Sequence, residues 1–304
     1  MTLADVLPDN RVVVAPMAGG PSRPALVIAA AGAGALGFLA AGYKSPEAMG
    51  AEIAAVRAAT GAPFGVNLFL PGAPYGSRSE LARYVTSAGG DPGNATWDDD
   101  QYDAKVAALL ADPPPVVSFT FGCPAAEVIA AFRGAGTVAG VTVTSPAEAL
   151  IAAAAGADAL CVQGSEAGAH RGTFANVDEP GDALLSLIAA VRAVCAVPVI
   201  AAGGIMTAAQ VRAALAAGAV AVQCGTAFLR CPESGAHPLH KAALIDPAYT
   251  ETVLTRAFSG RPARGLINQF IRDHTGAPAA YPEINNATRP LRAAAARPAA
   301  IQSG

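Results

Sequence analysis

Short, almost wholly apolar runs alternate along most of the chain with longer stretches of helical periodicity. The runs at 12–15, 36–40, 64–69, 116–120, 137–143, 158–162, 198–201 and 218–223 read as strands. Apolar residues follow one another with little in–out alternation, as in strands buried on both faces. Helix signals lie between them. Pro24 suits a first turn ahead of 25–33. Ser45-Pro46-Glu47 and Ser145-Pro146-Ala147-Glu148 each place a capping serine before a proline at the first helical position. A helix is predicted over 124–133, Thr207 caps another to Ala217, and residues 182–195 carry Leu184, Leu185, Ile188 and Val191 at helical spacing. Eight strands, all but the last followed promptly by a helix, predict a closed parallel (β/α)8 barrel of the TIM type.

The competing architecture is an open doubly wound sheet. Gly32-Ala33-Gly34-Ala35-Leu36-Gly37 spells its G-x-G-x-x-G fingerprint, but these residues precede a strand where the fingerprint follows one. Two regions depart from the alternation. Residues 71–100, rich in Pro, Gly and Asp and holding Trp97, are too long for a plain connection. They are either an excursion over a site or partly helical. After Thr226 the run Cys231-Pro232-Glu233-Ser234-Gly235 breaks the pattern, and a polar, basic stretch follows. The division expected is a barrel over 1–228, a small, mainly helical lid or substrate region over 229–270, and a closing barrel helix with a C-terminal tail over 271–304. The tail, rich in Ala, Pro and Arg from Ala277 on, is either a loosely held helix or disordered.

Composition narrows the function classes. With 53% hydrophobic and 14% charged residues the 304-residue chain has the opposite balance to a disordered one. A net charge of −3 favours neither nucleic acid nor an anionic membrane surface. Cys123, Cys161, Cys195, Cys224 and Cys231 are odd in number and scattered, without a C-x-x-C, so neither a disulfide framework nor a metal site is expected. The N-terminus lacks a signal peptide's basic start and apolar stretch. The apolar segment 25–42 is interrupted by Gly32, Gly34, Gly37 and Gly42, and reads as helix, turn and strand, not as a membrane span. A cytoplasmic setting is expected.

In a barrel the loops after the strands share one face, where the chemistry is found. The strand ends supply Pro16-Met17-Ala18, Gly42-Tyr43-Lys44, Asn67, Phe121-Gly122-Cys123, Thr144, Gly203-Gly204 and Gln223-Cys224-Gly225-Thr226. The glycines after the seventh and eighth strands stand where backbone N–H groups of this fold hold a phosphate. Asn67 and Gln163 offer amides, each donor and acceptor at once, which suits the imide edge of a flavin. The loop Gln163-Gly164-Ser165-Glu166-Ala167-Gly168-Ala169-His170-Arg171-Gly172 releases four polar side chains where an apolar strand stops. An imidazole there titrates near neutrality.

Ala15-Pro16-Met17-Ala18-Gly19, Val66-Asn67-Leu68, Val117-Ser118-Phe119, the 163–172 loop, Ala202-Gly203-Gly204-Ile205, Gln223-Cys224-Gly225-Thr226 and, beyond the strands, Thr255 to Arg261 together resemble the nitronate monooxygenases. The resemblance implies an FMN-binding barrel that oxidises alkyl nitronates with O2. It implies FMN contacts from Met17, Asn67, Gln163, Gly168, Gly203, Gly204, Gln223, Cys224, Gly225 and Thr226. It makes His170 the catalytic residue, either as a base toward neutral nitroalkanes or as a hydrogen-bonding group for the nitronate. Lys44 and Arg171 are candidate partners for the substrate anion. Two positions depart from the family pattern: Ala169 stands where a second glycine is usual, and Cys224 where methionine is usual. The methyl at Ala169 matters if that residue has positive φ. The nearest rival is an FMN- and NADH-dependent enoyl-acyl-carrier-protein reductase, and beyond it a phosphate-binding barrel without flavin.

Overall fold

The computed structural model describes residues 1–295. Eight parallel strands close into a barrel: β1 (Val12–Val14), β2 (Leu36–Ala40), β3 (Phe64–Phe69), β4 (Val116–Thr120), β5 (Val138–Val143), β6 (Ala159–Gln163), β7 (Val199–Ala202) and β8 (Ala221–Cys224). Closure is made by β1 against β8, with Val12 opposite Val222 and Val14 opposite Cys224. All eight predicted strands are present, shifted by up to three residues at their ends. The caps form as expected: Ser45 and Ser145 each accept from the third residue on, Ala48 and Glu148, at 3.2 Å. Thr207 and Gln210 make a reciprocal capping box.

The inside of the barrel changes character along its axis. Val13, Leu36, Phe38, Val116, Val138, Ala159, Ile200 and Ala221 fill the N-terminal half, and Val6 from the short helix Leu3–Val6 packs into the same cluster. Gly65 leaves the space into which the Phe38 ring fits. Further along, the interior positions become Asn67, Ser118, Thr120, Thr142, Cys161, Gln163 and Gln223. They are joined by hydrogen bonds such as Asn67 Nδ2 to Ser118 Oγ at 2.9 Å and to Thr120 Oγ1 at 3.0 Å. Gln223 Nε2 donates to Cys161 Sγ at 3.2 Å. Asn67, Thr142 and Cys161 are buried and the others half-buried; such a layer is tolerable because its groups satisfy one another, and it marks the C-terminal rim as the chemical end. The opposite strand face packs on the surrounding helices through Phe119, Val141, Leu160, Leu187 and their neighbours.

The described chain forms two compact units, Met1–Pro71 with Asp99–Ala236, and Gly72–Asp98 with the chain from His237 onward. The first is the barrel. It includes a helix over Tyr102–Ala111 that no apolar period announced. One turn of helix, Thr226–Leu229, follows β8 directly. In the second unit, residues 71–100 prove partly helical, over Arg78–Ser87. A hairpin of β9 (Thr252–Thr255) and β10 (Ala263–Leu266) and a C-terminal helix, Glu283–Ala295, complete it. Leu81, Tyr84 and Val85 pack on Ala280, Ile284 and Ala287. Tyr84 donates to Ala257 O at 2.7 Å, and Asn286 Nδ2 donates to Thr96 O at 2.9 Å. The tail expectation for 296–304 lies outside the described residues. No described helix is long and apolar enough to cross a membrane.

Candidate active site

The loop after β6 is held from several sides. Gln163 clamps it with both ends of its amide: Nε2 donates to His170 O at 3.1 Å, and Oε1 accepts from Gly172 N at 2.8 Å. Glu166 accepts from Leu184 N at 3.0 Å, placing a carboxylate at the start of the helix Leu184–Val194. Glu148 accepts from Phe174 N at 2.7 Å. Arg171 is buried, and its Nη1 donates to Gly164 O at 2.9 Å. Gly181 has φ +70°, and a methyl there would strike the Arg171 guanidinium.

This loop touches both glycine turns. A methyl on Gly168 would sit 3.0 Å from Thr226 Oγ1, and one on Gly204 would sit 2.8 Å from Glu166 Cβ. Gly225 faces Met17, whose sulfur would be 3.7 Å from a Cβ there. Gly168, Gly204, Gly225, Thr226 and Met17, scattered over more than two hundred positions, therefore converge at the end of the barrel that carries His170. Cys224 is buried beneath, and burial pushes its thiol up from 9.0. Asn67 and Gln223 lie in the polar interior layer. The two predicted cations have partners within the chain: Lys44 pairs with Glu52 at 2.6 Å, and Arg171 Nη1 donates to Gly164 O.

The glycine turns suit an anion. Gly203 and Gly204 have φ of +117° and +68°. Among the described residues, the N–H groups of Gly203, Gly204, Gly225 and Thr226 enter no backbone hydrogen bond. Unused donors beside residues without side chains are what a phosphate group needs. The capping box after β7 occupies its helix start with Thr207 and Gln210, leaving the glycine N–H groups as the donors in that loop. No described cluster of His, Cys, Asp and Glu could hold a metal ion.

An apolar wall lines this rim, made by Tyr43 and Phe121, which the strand ends supplied without a role, and by Phe69, which they did not include. Phe121 stands edge-on to His170, with ring centroids 5.8 Å apart at 89°. Phe69 lies 4.6 Å from Phe121, and Tyr43 stands edge-on to Phe69 at 5.6 Å. Tyr43, Phe121 and Ala169 have φ of +67°, +76° and +63°, so three strand-end loops carry non-glycine residues in the left-handed region. Such strain gathers at functional sites. The signal for Phe69 was available, since it shares Asn67's inward parity along β3.

The family model for nitronate monooxygenase matches residues 2–304. The chain belongs to the nitronate monooxygenase family. It is similar to the nitronate monooxygenase of Pseudomonas aeruginosa, with 40% identity over 302 residues, spanning 93% of this chain and 85% of that protein. Among solved structures, a nitroalkane oxidase from Streptomyces ansochromogenes matches with TM-score 0.92 and 52% identity, covering 97% of this chain and 87% of that one. FabK from Thermotoga maritima matches at TM-score 0.71 and 30% identity, covering 89% and 75%. The family is enzymatic, its members are oxidoreductases, and it is generally flavin-dependent. At Ala169 the backbone does have positive φ, the condition under which its methyl matters.

Proposed function

We propose that this enzyme oxidises alkyl nitronates, and nitroalkanes after deprotonation, with FMN as cofactor and O2 as oxidant. The observation carrying this is the contact of the His170 loop with both glycine turns, through Gly168 with Thr226 and Glu166 with Gly204. The match to a nitroalkane oxidase, at 52% identity and TM-score 0.92, supports it.

Gly203, Gly204, Gly225 and Thr226 would hold the phosphate through backbone N–H groups, with Met17, Asn67, Gly168, Gln223 and Cys224 around the remainder. FMN held there would supply the electron-accepting chemistry, with O2 as the final oxidant. The chain's own work is to bind, orient and move a proton. An imidazole nitrogen of His170 takes the proton from the α-carbon of a neutral nitroalkane, and the resulting imidazolium faces the nitronate anion it has generated. Gln163 keeps the His170 backbone in register with Gly172, so the imidazole is presented from a fixed loop. Phe121 keeps an apolar edge beside it. Arg171 is assigned to bracing this loop and Lys44 to its pair with Glu52. The five cysteines are free thiols, which accords with a reducing cytoplasm.

His170→Asn tests the assignment. Without a base, kcat/KM for neutral nitroalkane should fall by roughly 10²–10⁴-fold, while preformed nitronate should lose less than about tenfold. Equal losses on both substrates would make His170 a binding group only.

A further inference from the structure

Lys105 is wholly buried, at 0% exposure, in the helix Tyr102–Ala111. Its Nζ lies 2.8 Å from Asp100 Oδ2 and donates to Ala41 O at 3.0 Å. The other oxygen of Asp100 accepts from Tyr43 N at 2.8 Å. One ion pair, its lysine wholly buried and its aspartate half-buried, thus grips the chain just after β2 at two points, a carbonyl and an N–H two residues apart. Between them Gly42 lies so close to Phe69 that a methyl would overlap its ring. Tyr43, gripped by its N–H, has φ of +67°, a conformation that L-residues avoid unless their surroundings impose it.

Stability alone is a weak reason for such a pair, because removing both charges from water offsets much of their attraction and an apolar pair packs as well. Fixing a strained turn is a better one. From Tyr43 the rings run without a gap to the imidazole: Tyr43 on Phe69, Phe69 on Phe121, Phe121 on His170. Phe69 and Tyr43 are only half-buried, which leaves apolar ring surface accessible on the His170 side of the barrel.

We propose that the Lys105–Asp100 ion pair is a positioning device that locks Tyr43 and so sets the Tyr43–Phe69–Phe121 wall, against which the alkyl chain of the substrate lies. This rests on the reading of His170 as the group that meets the nitro carbon. Asp100 and Lys105 touch neither substrate nor cofactor. Their effect falls on how the enzyme ranks substrates by chain length.

The test compares the purified, flavin-loaded wild-type enzyme with Asp100→Ala, Asp100→Asn and Tyr43→Gly. The ratio of kcat/KM for butyl-1-nitronate to that for methyl nitronate is measured, with amide hydrogen exchange across 41–45, 119–122 and 168–172. Asp100→Ala should lower the ratio by at least about tenfold, since discrimination by added methylenes in an apolar pocket is of that order. It should also speed exchange in all three segments. Asp100→Asn, which keeps an acceptor for Tyr43 N–H but leaves the Lys105 ammonium without its counter-charge, should lower the ratio by less than Asp100→Ala does. Tyr43→Gly, which removes the ring while accepting the backbone angle freely, should lower the ratio with the ion pair intact, and covers the case in which Asp100→Ala does not fold. A ratio unchanged within twofold in Asp100→Ala or Tyr43→Gly overturns the proposal, as does faster exchange confined to 41–45. If the wild-type enzyme turns over no nitronate, the functional reading fails instead, and the exchange pattern alone decides whether the ion pair positions the wall.

Discussion

Ala169→Gly should stabilise the protein, although it deletes a methyl group and adds a flexible residue. Ala169 is exposed and has φ of +63°. A left-handed backbone costs an L-residue roughly 1–2 kcal/mol, a penalty glycine escapes. Against this, glycine enlarges the unfolded ensemble, which costs about 0.4–1 kcal/mol. The exposed methyl contributes little burial. The balance is a gain of about 1 kcal/mol, or roughly 2–4 °C in melting temperature for a unit of this size. Differential scanning calorimetry, with a urea titration to check two-state behaviour, reads it directly. The control is Ala213→Gly in the helix Ala208–Ala216, which should lose stability by about 0.5–1 kcal/mol. If Ala169→Gly melts below the wild type, as the control should, then Ala169 is not strained and the loop geometry described here is wrong.

Three other expectations follow from the same contacts. Gln163→Ala strands the Gly172 N–H and the His170 carbonyl, and should cost about 1–3 kcal/mol in urea denaturation, with Gln163→Glu intermediate because it keeps the acceptor alone. Gly204→Ala forces a left-handed residue and puts a Cβ 2.8 Å from Glu166 Cβ, so the purified variant should carry less flavin per chain than wild type; undiminished flavin would remove the glycine turn from the cofactor site. Burial pushes the Cys161 thiol to about 12 from 9.0. The folded state therefore keeps a proton that the unfolded state sheds. Stability from this group is complete below pH 9 and is lost as pH rises toward 12, so Cys161→Ala should show a shallower fall in urea midpoint between about pH 9 and 11.

Much of the barrel could be read from the chain because its strands are buried on both faces and its helices carry local caps. Ser45, Ser145 and Thr207 make their bonds three residues on, within reach of a local pattern. The helix Tyr102–Ala111 escaped because Lys105 occupies a buried position on it, where its charge hides the apolar stripe. The second unit escaped for a different reason. Tyr75 N donates to Glu283 Oε1 at 2.8 Å and Asn286 reaches Thr96, contacts across some two hundred residues that no short window contains. At the site, Gly168, Gly204 and Thr226 could be placed on one rim from topology alone. The work of Arg171 could not, since an arginine in a glycine-rich loop looks the same whether it faces an anion or turns inward to a carbonyl. Whether Ala169 mattered depended on one backbone angle, and only the folded loop supplies it.

The proposed function is that of a rim holding a flavin which takes electrons from a nitronate brought to His170. Its most direct measurement is the visible spectrum of the purified protein in the absence of oxygen, before and after a nitronate is added. The protein should be yellow, and its flavin bands should bleach on mixing with the nitronate, stay unchanged with NADH, and return when air is admitted. A colourless protein, or a yellow one bleached by NADH and indifferent to nitronates, would contradict it.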